Sequence, residues 1–226
     1  MINGILLINK EIDISSYDVI RKLKRVLPKG IKIGHAGTLD PFASGLLLVL
    51  LGSYTKKFDA ILQMEKEYIV KGEFGYSTDT HDIKGEKVNI SNERSAVEME
   101  KIENMIRKKF LGNISQMPPV FSAKKINGRK AYEYARKGES VKMHPKDILI
   151  QKFEIVKYNW PYVIFKIVCS SGTYVRTLIN DLGIELGCFG TAVELCRTRI
   201  GEYSLGDALD SVEITEGINL EKYVHE

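Results

Sequence analysis

Two neighbouring stretches, ILIQKFEIVKY (148–158) and YVIFKIVCSS (162–171), constrain this chain most strongly. Both are rich in β-branched and aromatic residues, and much of each alternates apolar with polar side chains at the two-residue period of a half-buried strand. Asn159-Trp160-Pro161 supplies a turn between them, so the pair reads as two antiparallel neighbours. Other segments follow the same pattern. GILLINK (4–10), YIVKGEFGYS (68–77), GEKVNI (85–90) and TAVELCRTRIGEYSL (191–205) read as strands, with a turn at Asp82–Gly85. GLLLVLLG (45–52) is too uniformly apolar for periodicity to separate a buried strand from the start of a helix.

Helices are fewer. Ser15 and Asp18 have capping-box spacing and open a helix through about Leu27, closed by Pro28-Lys29-Gly30. A second capping box, Ser95 to Glu98, predicts a helix running to about Phe110. KAYEYARKG (130–138) and TYVRTLINDLGIELG (173–187) complete the set, while Pro118 and Pro119 hold QMPPVFSA (116–123) extended. The sum is an α+β chain: a mixed, largely antiparallel sheet with flanking helices. No internal repeat or linker divides it, so one domain is expected at 226 residues.

Composition excludes some classes. The longest apolar run, Leu46–Leu51, is far short of the roughly 20 residues of a membrane helix. The first residues, MINGILLINKEID, lack the pattern of a signal peptide, and three cysteines (169, 188, 196) show no CxxC spacing. Free thiols in a reducing cytoplasm are the expectation, with no metal site. Charge is informative in its distribution. Between Val120 and Lys146 stand eight Lys/Arg (124, 125, 129, 130, 136, 137, 142, 146) against two Glu (133, 139). A second cluster, RKLKR, occupies 21–25. Either alone reads as a solvated helix face. Together, and with Tyr132 and Tyr134 interleaved, they point toward a nucleic-acid surface.

The chemistry concentrates in GHAGTLDP (34–41). Gly34 and Gly37 permit close backbone approach or positive φ, and Asp40 before Pro41 is biased to extended backbone. No GK[ST] follows, so this is not a P-loop, and His35 with Asp40 makes too few metal ligands. Two readings stand on spacing alone: an Asx-turn aspartate with a capping histidine, or a carboxylate nucleophile in a loop with apolar walls.

GHAGTLDPFASGLLLVLLG (34–52) resembles, almost residue for residue, the catalytic loop of the bacterial TruB-type tRNA pseudouridine-55 synthases. The resemblance continues through KEYIVKGEFGYSTDTHDIKGE (66–86), FLGNISQMPPVFSAKKINGRKAYEYARKG (110–138) and CSSGTYVRTLINDLGIELGCFGTAVELCRTRIG (169–201). It implies the pseudouridine-synthase fold and an isomerisation without cofactor. The N-glycosidic bond of the T-loop uridine of tRNA is broken, and the base is turned and rejoined through carbon 5. Asp40 matches the family's nucleophile, which attacks the sugar's C1′ or the base's C6. Arg176 matches the arginine expected to pair with it. Tyr68 matches the tyrosine that packs on the base and is the candidate to take the C5 proton, stacking alone being the alternative. His35 matches the histidine that contacts the RNA loop where the base is flipped out. Tyr174 and Leu195 match pocket walls, Lys10 matches the first block, and Asp79 is a hydrogen-bonding candidate that turn chemistry explains equally well.

Two departures accompany the match. Where the family has KPxGxTS, this chain reads Lys10-Glu-Ile-Asp-Ile-Ser-Ser16, without the proline and glycine at positions 11 and 13. The family usually continues into an RNA-binding PUA domain, whereas 1–210 are read here as the catalytic domain and 211–226 as a short tail. The expectation is a cytoplasmic, monomeric tRNA isomerase that recognises the T-arm stem-loop, with no obligate protein partner and no membrane. The main rival is a non-catalytic RNA-binding or tRNA-folding protein; a nucleotide-binding or metal hydrolase is a distant third.

Overall fold

The computed structural model describes residues 2–92, 95–122, 124–126, 128–135 and 137–225, with Lys125 described by its backbone alone. In chain order the elements are β1 (Gly4–Lys10), α1 (Ser16–Val26), β2 (Ile33–Ala36), β3 (Ser44–Leu51), α2 (Phe58–Gln63), β4 (Lys66–Phe74), β5 (Tyr76–Thr78) and β6 (Lys87–Ile90). Then come α3 (Met99–Lys109), β7 (Gly112–Gln116), β8 (Lys125–Ile126), β9 (Arg129–Lys130), α4 (Ala131–Ala135), β10 (Lys146–Asn159) and β11 (Tyr162–Cys169). The last are α5 (Val175–Leu186), β12 (Gly190–Ile200), β13 (Tyr203–Ser204), β14 (Leu209–Asp210) and β15 (Val224–His225). The chain forms two compact units, one of residues 1–69 with 195–226 and the other of 70–194.

In the first unit the strand order is β14-β1-β3-β12, with β2 on β3, β15 on β1 and β13 on β12. Strands β1 and β3 pair antiparallel from Gly4↔Leu51 to Lys10↔Gly45, while β3–β12 and β1–β14 are parallel. The ambiguous GLLLVLLG is therefore a strand, and its full burial explains why it shows no alternation. One face of this sheet (Leu6, Ile8, Leu47, Val49, Leu51) packs against Val19, Ile20 and Leu23 of α1. The opposite face (Ile5, Leu7, Leu46, Leu48, Leu50) packs with Ile61 and Ile200. The predicted capping box of α1 is present: Ser15 Oγ accepts from Asp18 N at 3.2 Å and the Asp18 carboxylate accepts from Ser15 N at 2.8 Å. Residues beyond β13 are built in as well. Leu209, Ile214 and Leu220 are buried in the α1 face of the core, and β15 pairs with β1.

The second unit is built on β4-β11-β10-β7. The expected hairpin is β10–β11, with Asn159 opposite Tyr162 across the turn. A cluster of Phe74, Phe110, Phe153, Phe165 and Trp160 rings lies on this sheet. α5 is apolar on most sides and ends, as its sequence predicts, at Gly187 in left-handed geometry (φ 78°). One helix start differs from expectation. α3 begins at Met99, and its cap residue is Glu98, which makes no side-chain cap bond, in place of the expected Ser95. Tyr158 Oη donates to Val97's carbonyl at 2.8 Å and holds that segment off the helix, a long-range bond that overrides the local pattern.

Candidate active site

In the first unit the candidate residues lie on β1, β2, the following turn, β4 and β12. GHAGTLDP is less of a loop than its composition predicts. His35 sits on β2 with Val49 opposite, because the register Ile33↔Leu51 to Ala36↔Leu48 extends the ladder as far as Ala36. The chain then leaves the sheet at Gly37, and Asp40 opens a tight turn closed by Ala43 N donating to its carbonyl at 3.1 Å. Asp40 is half-buried, whereas Tyr68 on β4 and Leu195 on β12 are buried.

Two buried cations hold that turn. Lys10, at 0% exposure, closes β1 and donates to the carbonyls of Glu11 at 2.8 Å, Ile14 at 2.9 Å and Pro41 at 3.5 Å. Burial pushes its pKa down to about 8 against the opposing pull of Asp40. Arg197, at 1% exposure on β12, donates from Nε to Leu46 O and from Nη2 to Gly37 O, both at 2.8 Å. β12 approaches so closely that a Cβ on Gly45 would meet the Arg197 carbonyl at 2.4 Å, so only glycine fits there. Sequence reading did not single out Arg197. It stood in a strand beside other charges, and nothing local marks a buried arginine.

The departure at residues 11–14 also has a structural answer. Asp13 takes the positive φ (65°) and its N–H donates to Pro41 O at 2.7 Å. Aspartate tolerates this region better than most side chains. The loop thus wraps around the Lys10 ammonium and is tied to the Asp40 turn without the proline or glycine.

In the second unit Arg176 is the centre. It lies on the first turn of α5 at 2% exposure, donating from Nη1 to Thr80 O at 2.5 Å and from Nη2 to Phe121 O at 2.6 Å. Its Nε is 3.8 Å from the Asp82 carboxylate, and its guanidinium lies 6.0 Å from the centre of the Tyr174 ring. Asp82 is preset for this pairing. Thr80 Oγ1 and Lys84 N both donate to Oδ1 at 2.9 Å, leaving Oδ2 toward the arginine. Tyr174 precedes the helix, its N–H donating to Gln116 Oε1 at 2.9 Å and its carbonyl accepting from Gln116 Nε2 at 3.0 Å. Asp79 bonds the Glu86 N–H at 2.9 Å and so performs turn chemistry. Gln116, His81 and Asp82 carried no sequence signal beyond lying in a strand end and a polar turn.

The basic segment is a small hairpin, β8–β9, followed by α4. The Arg129 guanidinium lies over Tyr134 at 4.3 Å and Lys130 over Tyr132 at 5.5 Å. The expected interleaving of cations and rings is present here; Arg136 and the Lys125 side chain lie outside the described residues. RKLKR on α1 is partly neutralised, Arg21 by Asp18 and Lys22 by Glu11. Among the described residues no group of three or more His, Cys, Asp or Glu could hold a metal ion, and no helix is long and apolar enough to cross a membrane. The three cysteines form no disulfide.

The family model of the TruB family pseudouridylate synthase (N terminal domain) matches residues 24–175, which take in the Asp40 turn, Tyr68 and the 79–82 turn. The chain belongs to this family. Proteins named tRNA pseudouridine synthase B are its relatives over nearly the whole length. That of Protochlamydia amoebophila is 44% identical over 223 residues, covering 98% of this chain and 83% of the relative. That of Clostridium kluyveri is 40% identical over 98% of this chain and 75% of its own. That of Parabacteroides distasonis is 39% identical over 94% and 92%. The fold is likewise similar to a chain in the crystal structure of a Cbf5–Nop10–Gar1 complex, with a TM-score of 0.68 at 25% identity, covering 92% of this chain and 52% of that one. The mixed-sheet pseudouridine-synthase fold implied by the four sequence blocks is the fold observed.

Proposed function

We propose that this TruB-family chain isomerises uridine to pseudouridine in the T-loop of tRNA, at position 55, with Asp40 as nucleophile. Family membership and the relatives named tRNA pseudouridine synthase B support tRNA as substrate and pseudouridine as product. The observation that carries the residue assignment is the Asp40 turn itself. A half-buried carboxylate opens a turn whose backbone is held by two fully buried cations, Lys10 and Arg197. Such a scaffold fixes a nucleophile in place at little reorganisation cost.

The reaction conserves composition. The N1–C1′ bond breaks, a C5–C1′ bond forms, the C5 proton leaves and N1 gains one. Asp40 attacks C1′ or C6 and is released at the end, which requires no external redox partner. The uridine must be swung out of the folded loop, and His35 fills the vacated space. The Tyr68 ring covers the uracil, and its hydroxyl takes the C5 proton. The family resemblance gives Arg176 the role of the cation that pairs with the nucleophile and Tyr174 and Leu195 that of pocket walls, and Lys10 acts through the turn it holds. Asp79 orders the 79–86 turn. Site-resolved pseudouridine mapping of unmodified tRNA, incubated with purified protein and EDTA, tests this reading. Conversion of the T-loop uridine is the expected result. Binding without conversion would leave an RNA-folding protein, and a requirement for added metal or nucleotide would point to another chemistry.

A further inference from the structure

The turn that receives Arg176 contains a residue that neither the family match nor the proposed reaction employs. His81 stands between Thr80, whose carbonyl takes Nη1, and Asp82, whose carboxylate faces Nε. It has φ 64°, one of three non-glycine residues with positive φ among those described. That conformation costs an L side chain on the order of 1–2 kcal/mol and persists only where the surroundings hold it. The surroundings here are specific. The His81 carbonyl accepts from Ala192 N at 3.1 Å, and Ile83 N donates back to Ala192 O at 3.0 Å, so the turn is bonded on both sides of Asp82. The imidazole Nδ1 lies 3.2 Å from Oγ1 of Thr177, the buried residue that follows Arg176 on α5.

These bonds make a closed ring. Arg176 reaches from helix to turn through its guanidinium, and His81 reaches from turn to helix through its ring. Were His81 to relax to a right-handed φ, Thr80 O and the Asp82 carboxylate would no longer both face the guanidinium. We propose that His81 is a positioning residue for Arg176, setting the direction in which the guanidinium presents its charge during the uridine rearrangement. The assignment rests on the tRNA isomerase reading for its catalytic consequence, and on the turn–helix ring for its geometry. The ring is suited to this duty only when uncharged, since an imidazolium would repel the arginine. Burial, and next the Arg176 charge, push its pKa down to about 4 against the weaker opposing pull of Asp79.

Four variants test it: His81→Ala, His81→Gly, His81→Asn and Thr177→Val. Glycine keeps the backbone without the ring, whereas asparagine tolerates positive φ and can still bond the Thr177 hydroxyl. The expected result is a ~10–100-fold fall in kcat for Ala, Gly and Val variants with KM for tRNA within ~2-fold, and recovery to within ~5-fold of wild type in Asn. In parallel, the Arg176 Nε–H resonance, assigned by its loss in Arg176→Lys, should move in the first three and return in the last. An unmoved resonance with wild-type kcat in His81→Ala overturns the assignment. So does an Asn variant as impaired as Ala with an equally lowered melting temperature, which would make His81 a packing residue. Wild-type protein that makes no pseudouridine would instead refute the isomerase reading, and the resonance would still decide the geometry of His81.

Discussion

Lys10 and Pro41 are joined through the lysine's ammonium, whose Nζ lies 3.5 Å from the carbonyl of the residue that follows Asp40. A strand end thereby controls the position of a candidate nucleophile thirty residues later, and does so with a charge taken wholly out of water. This arrangement has a signature in pH. The folded pKa of about 8 lies below the ordinary 10.5, so between those values the unfolded chain binds more protons and stability rises with pH. The penalty, on the order of 3 kcal/mol, is present in full below pH 8 and gone above 10.5. In Lys10→Met it is absent throughout. Denaturant unfolding of both proteins should show wild type gaining on the variant across that window; a flat difference would contradict the burial of the charge.

Asp40→Asn keeps the shape and removes the anionic oxygen. Fold and tRNA affinity should persist while turnover falls by at least ~10⁴-fold. Single-turnover conversion with a melting curve and a filter-binding isotherm decides it, and activity within ~10-fold of wild type would remove Asp40 as nucleophile.

Arg197→Met leaves the carbonyls of Gly37 and Leu46 without their buried donor. A loss of about 2–4 kcal/mol is expected, with kcat falling further than KM rises because the Asp40 turn loosens. Lysine at 197 should recover part of the stability, since one ammonium cannot span both carbonyls as the planar fork does.

Asp13→Gly and Asp13→Val separate backbone geometry from side chain at φ 65°. Glycine should stay within about 1 kcal/mol of wild type, whereas valine, strongly disfavoured there, should cost about 1–3 kcal/mol. Equal stabilities would mean the loop can adopt another path.

Replacing Lys124, Lys125, Arg129 and Lys130 by Gln should weaken tRNA binding and flatten its salt dependence, the slope falling by up to ~1 for every phosphate that is no longer neutralised. An unchanged slope would make this hairpin a solvated face.

Legibility in the sequence followed the range of the interactions involved. The β10–β11 pair, the α1 capping box and the Gly187 stop depend on neighbours in the chain, and each was readable. On spacing alone Asp40 was readable only as one of two alternatives, and its proposed role as nucleophile rests on the resemblance of the four blocks. What escaped is held from afar. His35 looks like a turn residue until β3 pairs with it, and Ser95 looks like a cap until Tyr158 claims the segment. Arg197 looks like one more strand charge until distant carbonyls surround it. Short pieces such as β14 and β15 have no periodicity of their own and exist because β1 offers an edge.

That edge sets an order of events during synthesis. β1 leaves the ribosome before the rest of its sheet, yet its partners on one side are residues 209–210 and 224–225. The 70–194 unit is a single continuous stretch and has all of its residues available earlier. The strand bearing Lys10 must therefore wait, half-paired and strongly apolar, while more than two hundred residues are translated. The interval in which GILLINK needs shielding is a property of the chain's connectivity, and a ribosome stalled near residue 200 would hold the Asp40 turn beside a sheet edge still open to other strands.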